Sequence, residues 1–349
     1  MKSILVGAVD TTRIAMEILA ASGVPPAALF TLPLSKSSRH SDFIHLAPKA
    51  EELGIPIVPI ANVNRPEVLA QIRAIAPDYS FVIGWSQICR ADFLGIAKIG
   101  SIGYHPAPLP ENRGRAVIPW TILQNRKTTG STLFWMDEGA DSGDILNQEI
   151  FPLDPDETAT TLYRKHCESF ARMFAHSVQD LRAFKGQKQP QHHSLATYCA
   201  KRIAEDGLID WNQPAADVWR LIRAVTKPYP GAFTFYNRQK LIIWEAELVG
   251  SAPYWGLPGQ IQKLDRAGAL VQCGDKQHIL LKKIQLGAEI VAPSVLKQHA
   301  KLGISWLEIF QSQPSQSPKN QEQTYAPKLP TLQNAPVEMP AIAPVHPPS

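Results

Sequence analysis

Residues 3–32 read SILVGAVDTTRIAMEILAASGVPPAALFTL, and the order of their apolar runs decides the fold class. SILVGAV (3–9) is short and apolar, which suits a buried strand. TTRIAMEILAASG then spaces its apolar residues at helical intervals and stops at Gly23, a natural C-terminal stop. AALFTL is a second strand. The alternation continues with a helix over HLAPKAEELG, a strand over PIVPI, a helix over PEVLAQIRAIA and a fourth strand over YSFVIGW. Unbroken apolar strands in turn with helices predict an α/β fold, a Rossmann-like parallel sheet covered on both faces. Ligands of such sheets sit beyond the carboxyl ends of the strands. The turn after the first strand, GAVDTTR, has Gly7 as its single glycine and lacks GxGxxG. That counts against a nicotinamide-dependent dehydrogenase.

Further along, residues 154–184 predict one long helix with the acidic DPDET at its start. GQKQPQHHS is a polar linker. AADVWRLIRAV is a helix, followed by the strand-like runs GAFTFY, KLIIWEAEL, GQIQKL, ALVQC and HILLKKIQL, whose spacing predicts a small β-barrel. From about Ser312 the chain is rich in Gln, Pro and Ser, the composition of a disordered tail.

The 349 residues are enough for two domains. At 44% hydrophobic and 19% charged, the composition is that of a soluble globular protein. No apolar run approaches the roughly 20 residues needed to cross a bilayer. The N-terminal run meets Asp10 and Arg13 at once and reads as a strand rather than a signal peptide. Cys89, Cys167, Cys199 and Cys273 form no CxxC pair, which argues against a zinc site and a disulfide framework and suits the cytoplasm. A net charge of +4 permits an anionic partner without requiring nucleic acid.

Residues 100–148 carry the chemistry: GSIGYHPAPLPENRGRAVIPWTILQNRKTTGSTLFWMDEGADSGDILNQ. His105 ends a strand-like run and is followed by a proline-stiffened loop. Two readings stand: a histidine facing a cleft, or one that caps a loop. The turn DEGADSGD places Asp137, Glu138, Asp141 and Asp144 around two glycines. It lacks EF-hand spacing, so calcium is not expected. It is either a solvated turn or the source of a carboxylate that faces the cleft and works with His105.

The segment resembles the amino-terminal domain of the 10-formyltetrahydrofolate transferases. That group contains methionyl-tRNA formyltransferase, glycinamide ribonucleotide transformylase and the sugar-nucleotide N-formyltransferases. The matching residues are His105, Leu109 and Pro110, then Arg113 and Gly114, then Gly130 and Thr132, then Gly139, Asp141 and Gly143. EDGLIDWNQPA (205–215) and TKPYPGAFT (226–234) resemble the opening of the family's carboxyl-terminal OB-like barrel. The resemblance covers about residues 1–310. It implies a catalytic domain over 1–186, a linker over 187–204, an OB-like domain over 205–311 and a tail over 312–349.

The resemblance also implies 10-formyltetrahydrofolate as cosubstrate, with His105 and Asp141 catalytic and no metal. Its pterin slot corresponds to Ile83, Gly84, Trp85, Ser86, Gln87 and Ile88, together with Asp137, Glu138, Gly139, Ala140 and Asp141. Arg113 and Arg115 are expected to hold a phosphate of the acceptor or the glutamate tail of the folate. One position departs from the pattern: the family's Asn, two residues before the histidine, is Gly103 here. Asn112 is the nearest side chain in sequence to replace its donor. A non-catalytic folate- or nucleotide-binding module is the alternative that this departure raises. The acceptor is expected to be a small amine, an amino sugar nucleotide. The loop after the second strand, LPLSKSSRHSDFIHL, offers only Lys36 and Arg39 as firm cations, a thin surface for tRNA phosphates. The barrel's Arg220, Arg223, Lys227, Arg238 and Lys240 keep methionyl-tRNA open as the alternative acceptor.

Overall fold

The computed structural model describes residues 1–39 and 41–304. In it β1 (Ser3–Val6), β2 (Leu29–Thr31), β3 (Ile57–Pro59), β4 (Tyr79–Val82) and β5 (Gly100–His105) alternate with α1 (Asp10–Ala21), α2 (Ala47–Glu52), α3 (Pro66–Ile75) and α4 (Ala91–Leu94). There follow β6 (Arg113–Gly114), α5 (Val117–Leu123), β7 (Thr128–Trp135) and β8 (Ile145–Pro152). The main sheet runs β3-β2-β1-β4-β5-β7-β8. Its first five strands are parallel, as expected, but β7 is antiparallel to β5 and β8 to β7. The parallel sheet expected from the first strands thus continues into an antiparallel edge. A parallel crossover takes a dozen or more residues. The turn from Met136 to Asp144 is shorter than that, so the chain comes back as a hairpin.

Alternation along the strands sorts the core into two layers. Ile4, Val6, Phe30 and Val82 pack with Val68, Leu69 and Ile72 of α3 and Phe93 of α4. Leu5, Leu29, Phe81, Ile102 and Leu133 pack with Met16 and Leu19 of α1 and with Phe170 and Phe174 of α6 (Ala159–Arg182). Ile102 and Tyr104 thus face α6, while Gly103 and His105 lie on the opposite face. The α6 helix begins at Ala159, with Thr158, the last residue of DPDET, as its N-cap. The Oγ1 of Thr158 accepts from the Thr161 N–H (3.2 Å), and its own N–H donates to Thr161 Oγ1 (3.0 Å).

The remaining elements are β9 (Tyr198–Cys199), α7 (Ala215–Val225), β10 (Ala232–Tyr236), β11 (Gln239–Gly250), β12 (Ile261–Asp265), β13 (Gly268–Gln272), β14 (His278–Leu286) and β15 (Glu289–Val291). Strands β10 to β15 form an antiparallel sheet, β10-β11-β14-β13-β12, with β15 on β14. Ile222 of α7 and Trp211 are buried against this sheet. The same apolar cluster takes in Ile118 and Ile122 of α5 and Ala159 and Leu162 of α6, within the compact unit 1–304. The stretch expected to be a linker is no free spacer. Gln189 and Ile145 exchange backbone hydrogen bonds (2.8 and 2.9 Å), and β9 pairs with β6. The expected tail over 312–349, and residues 305–311 before it, lie outside the described residues. Among the described residues no helix is long and apolar enough to cross a membrane, and all four cysteines are unpaired.

Candidate active site

His105 is the last residue of β5 and is 5% exposed. Its Nε2 lies 2.7 Å from the backbone carbonyl oxygen of Asn112. A carbonyl only accepts, so Nε2 carries the hydrogen and Nδ1 is the nitrogen left to the site. Nδ1 lies 3.6 Å from Asp141 Oδ2, which is longer than a hydrogen bond but within ion-pair reach once the ring is charged. Oδ2 also accepts from the Gly114 N–H (2.8 Å). Asp141 has φ +53°, in the left-handed region that side chains bearing a Cβ seldom enter. Such conformations persist where surrounding bonds over-determine them.

Asn112 contributes its backbone rather than its side chain. Its Nδ2 donates to Gln124 Oε1 (3.1 Å) in a buried setting, so the expected amide donor is committed elsewhere. Gly103 explains why no side chain stands there. A Cβ at Gly103 would lie 2.8 Å from Phe134 Cζ and 3.1 Å from Met136 Cγ. Phe134 sits directly opposite Gly103 in the β5–β7 register and is itself buried, so its ring has little room to yield. Gly103→Asn is expected to destabilise the fold by about 1–3 kcal/mol through overpacking. Denaturant titration checks this, and an unchanged midpoint would mean that the ring swings aside.

The second wall leaves the sheet beside His105, because Val82 pairs opposite Gly103. Ile83 is buried and its carbonyl accepts from Thr12 Oγ1 (2.6 Å). Gly84 has φ +72°, and a Cβ there would meet Val9 Cγ2 at 2.1 Å, so only glycine fits this turn. Trp85 and Met136 pack on the cluster holding Val82 and Phe93. The buried Trp85 Nε1 has no hydrogen-bond partner among the described residues. Gln87 does not offer its amide to a ligand: Nε2 donates to the Ala61 carbonyl (2.7 Å) and Oε1 accepts from the Val63 N–H (3.4 Å). Ser86 and Ile88 are exposed. In the acidic turn, Asp137 Oδ1 accepts from the Gly139 N–H (3.0 Å) and Ser142 Oγ (2.7 Å), which closes the turn. Glu138, Gly139 and Ala140 are exposed. No metal-binding cluster of His, Cys, Asp or Glu occurs among the described residues.

Of the two arginines, Arg115 is exposed and Arg113 is not. Arg113 is 2% exposed and donates to Gln191 Oε1 (2.6 and 3.2 Å), Tyr198 Oη (3.2 Å) and His193 Nδ1 (3.2 Å). The expectation that Arg113 holds an acceptor phosphate or the folate's glutamate tail is corrected, since its fork is filled from within. Sequence reading missed Gln191, which lies in the linker stretch. It also missed His166, a helix-spaced histidine on the apolar face of α6. His166 Nδ1 lies 2.9 Å from Ser131 Oγ, and its buried Nε2 has no partner among the described residues. Burial, and then the charge of His105, push its pKa down to about 3.

Residues 34–177 match the family model for formyl transferase, and residues 202–300 match the model for the formyl transferase C-terminal domain. The methionyl-tRNA formyltransferase of Syntrophus aciditrophicus (strain SB) is 34% identical over 274 residues, covering 78% of this chain and 86% of that protein. The chain belongs to the formyltransferase family. Solved structures share the fold of this formyltransferase. HypX from Aquifex aeolicus in complex with tetrahydrofolic acid has a TM-score of 0.58 at 15% identity, over 84% of this chain and 46% of that one. This formyltransferase thus spans about half the length of HypX. The N-formyltransferase from Helicobacter canadensis, in complex with folinic acid and dTDP-3-aminofucose, has a TM-score of 0.57 at 18% identity, over 82% of this chain and 100% of that one. Methionyl-tRNA formyltransferase from Clostridium thermocellum has a TM-score of 0.52 at 16% identity, over 84% of this chain and 99% of that one. His105 and Asp141 fall inside the first matched stretch of this formyltransferase, whereas Gln191 falls between the two.

Proposed function

We propose that this formyltransferase moves the formyl group of 10-formyltetrahydrofolate onto a primary amine, with His105 and Asp141 as the catalytic pair. The observation that carries the reading is their approach to 3.6 Å, His105 from the carboxyl end of β5 and Asp141 from the acidic turn. When bound, the folate supplies an activated formyl carbon on N10. An amine attacks only as the neutral nucleophile. The site therefore takes a proton from it, returns one to the leaving nitrogen and holds the charge that gathers on the formyl oxygen. Asp141 takes the amine proton and passes it to the leaving nitrogen. His105, its Nε2–H held by Asn112, works through Nδ1. With a hydrogen on Nδ1, beside the Asp141 carboxylate, it donates to the formyl oxygen. The orphaned indole N–H of Trp85, on the apolar cluster that also takes in Met136, fits a pterin's need for a polar partner in an apolar slot.

The acceptor in this reading is a small amine, an amino sugar nucleotide. It is supported by the thin basic surface. Among the described residues between β2 and α2, the one regular element is a short 3₁₀ turn, Leu34–Arg39. In the second sheet region Arg223 is buried and donates to the Glu157 carbonyl (2.7 Å), while Arg220 pairs with Asp217. The second reading, methionyl-tRNA, is favoured by the likeness to the Syntrophus enzyme. Incubation with 10-formyltetrahydrofolate and either amino sugar nucleotides or charged initiator tRNA separates the two. Tetrahydrofolate release with the sugar alone is expected. Release only with tRNA, falling steeply as salt rises, overturns the small-acceptor reading.

A further inference from the structure

We propose that Gln191 is a positioning residue for Asp141, aimed by the buried Arg113. This rests on the catalytic reading of Asp141 given above. Gln191 is 5% exposed and uses its whole amide. Nε2 donates to the carbonyls of Asp141 (2.9 Å) and Gly143 (2.6 Å), and Oε1 receives Arg113 Nε and an Nη. One side chain thus fixes the backbone on both sides of Ser142, next to an aspartate held at φ +53°. The other hold on Asp141 is the Gly114 N–H on its Oδ2, and Gly114 follows Arg113 directly in β6. Both holds therefore radiate from Arg113. Its guanidinium has no carboxylate partner among the described residues and is satisfied by lone pairs of Gln191, Tyr198 and His193. All three of these residues lie in the stretch 187–204. That stretch is pinned by the Ile145–Gln189 bridge, by β9 on β6 and by the bond from Asn112 N–H to Thr197 Oγ1 (2.8 Å). The connection between the two family segments is therefore part of the apparatus that sets the Asp141 carboxylate against His105.

Gln191→Glu removes the two N–H donors while keeping an oxygen for Arg113, so the buried guanidinium stays paired and the fold is retained. Gln191→Met removes the donors without adding charge and is the control should the glutamate perturb folding. In both, kcat is expected to fall by about 10- to 100-fold, the scale of a misplacement near 1 Å, with KM for the folate changed far less. A residue that acts only through Asp141 has nothing further to remove once that carboxylate is gone. Gln191→Glu/Asp141→Asn should therefore turn over no more slowly than Asp141→Asn alone. The proposal is overturned if both Gln191 variants keep kcat within about twofold of the parent, or if their effect multiplies with that of Asp141→Asn. If Asp141→Asn itself keeps the parent kcat, the catalytic reading fails, a result separate from either of these.

Discussion

His105→Ala lowers kcat by about 10²–10³-fold at saturating folate and amine, while the protein stays folded. The size is that of one lost donor to a developing oxyanion. The structure gives the loss a single atom. Nε2 is occupied by the Asn112 carbonyl at 2.7 Å, so the chemistry of the ring passes through Nδ1, 3.6 Å from Asp141. No asparagine at position 103 shares the task, because Phe134 and Met136 fill the space beside Gly103. Asp141→Asn keeps the acceptor for the Gly114 N–H but cannot take a proton from the amine, and a loss of the same order is expected. Steady-state release of tetrahydrofolate measures both. Turnover within a few-fold of the parent in His105→Ala would leave the pair structural and favour a binding module.

The second large effect is on stability in acid. His166 is buried with its pKa pushed down to about 3 from its ordinary 6.5. Between these values the unfolded chain binds a proton that the folded chain does not, so folding stability falls as pH drops from 6.5 towards 3. The slope is about 1.4 kcal/mol per pH unit, or roughly 2–3 kcal/mol lost between pH 6.5 and 4.5 from this one group. The stabilisation is complete above pH 6.5. Denaturant unfolding at pH 7, 5.5 and 4.5 should show the parent losing that much more than His166→Gln, which keeps a polar partner for Ser131 and does not titrate. Parallel losses in parent and variant would show that His166 is solvated in the folded chain.

Local pattern was enough for most of the architecture. The unbroken apolar run of SILV marks a strand buried on both faces, and the helical spacing of TLYRKHCESFARMF marks a helix with one buried face. The spacing from His105 to Asp141 was legible through a motif, since His105 ends a strand before a proline-stiffened loop and Asp141 stands on a glycine-bounded turn. The tertiary structure decided what depends on neighbours remote in sequence. The hairpin of β7 and β8 came from too short a turn for a crossover. Arg113 proved buried because the segment carrying Gln191 and Tyr198 folds back over it, and composition alone had made that segment a spacer. Asn112 turned its amide to Gln124 and left its carbonyl to His105. Sequence by itself determined the sheet, its helices and the two catalytic candidates, because hydrophobic periodicity and turn chemistry act over a few residues. Which polar groups face the cleft and which are spent inside was settled only in three dimensions. A buried hydrogen-bond donor must find its acceptor wherever the chain brings one.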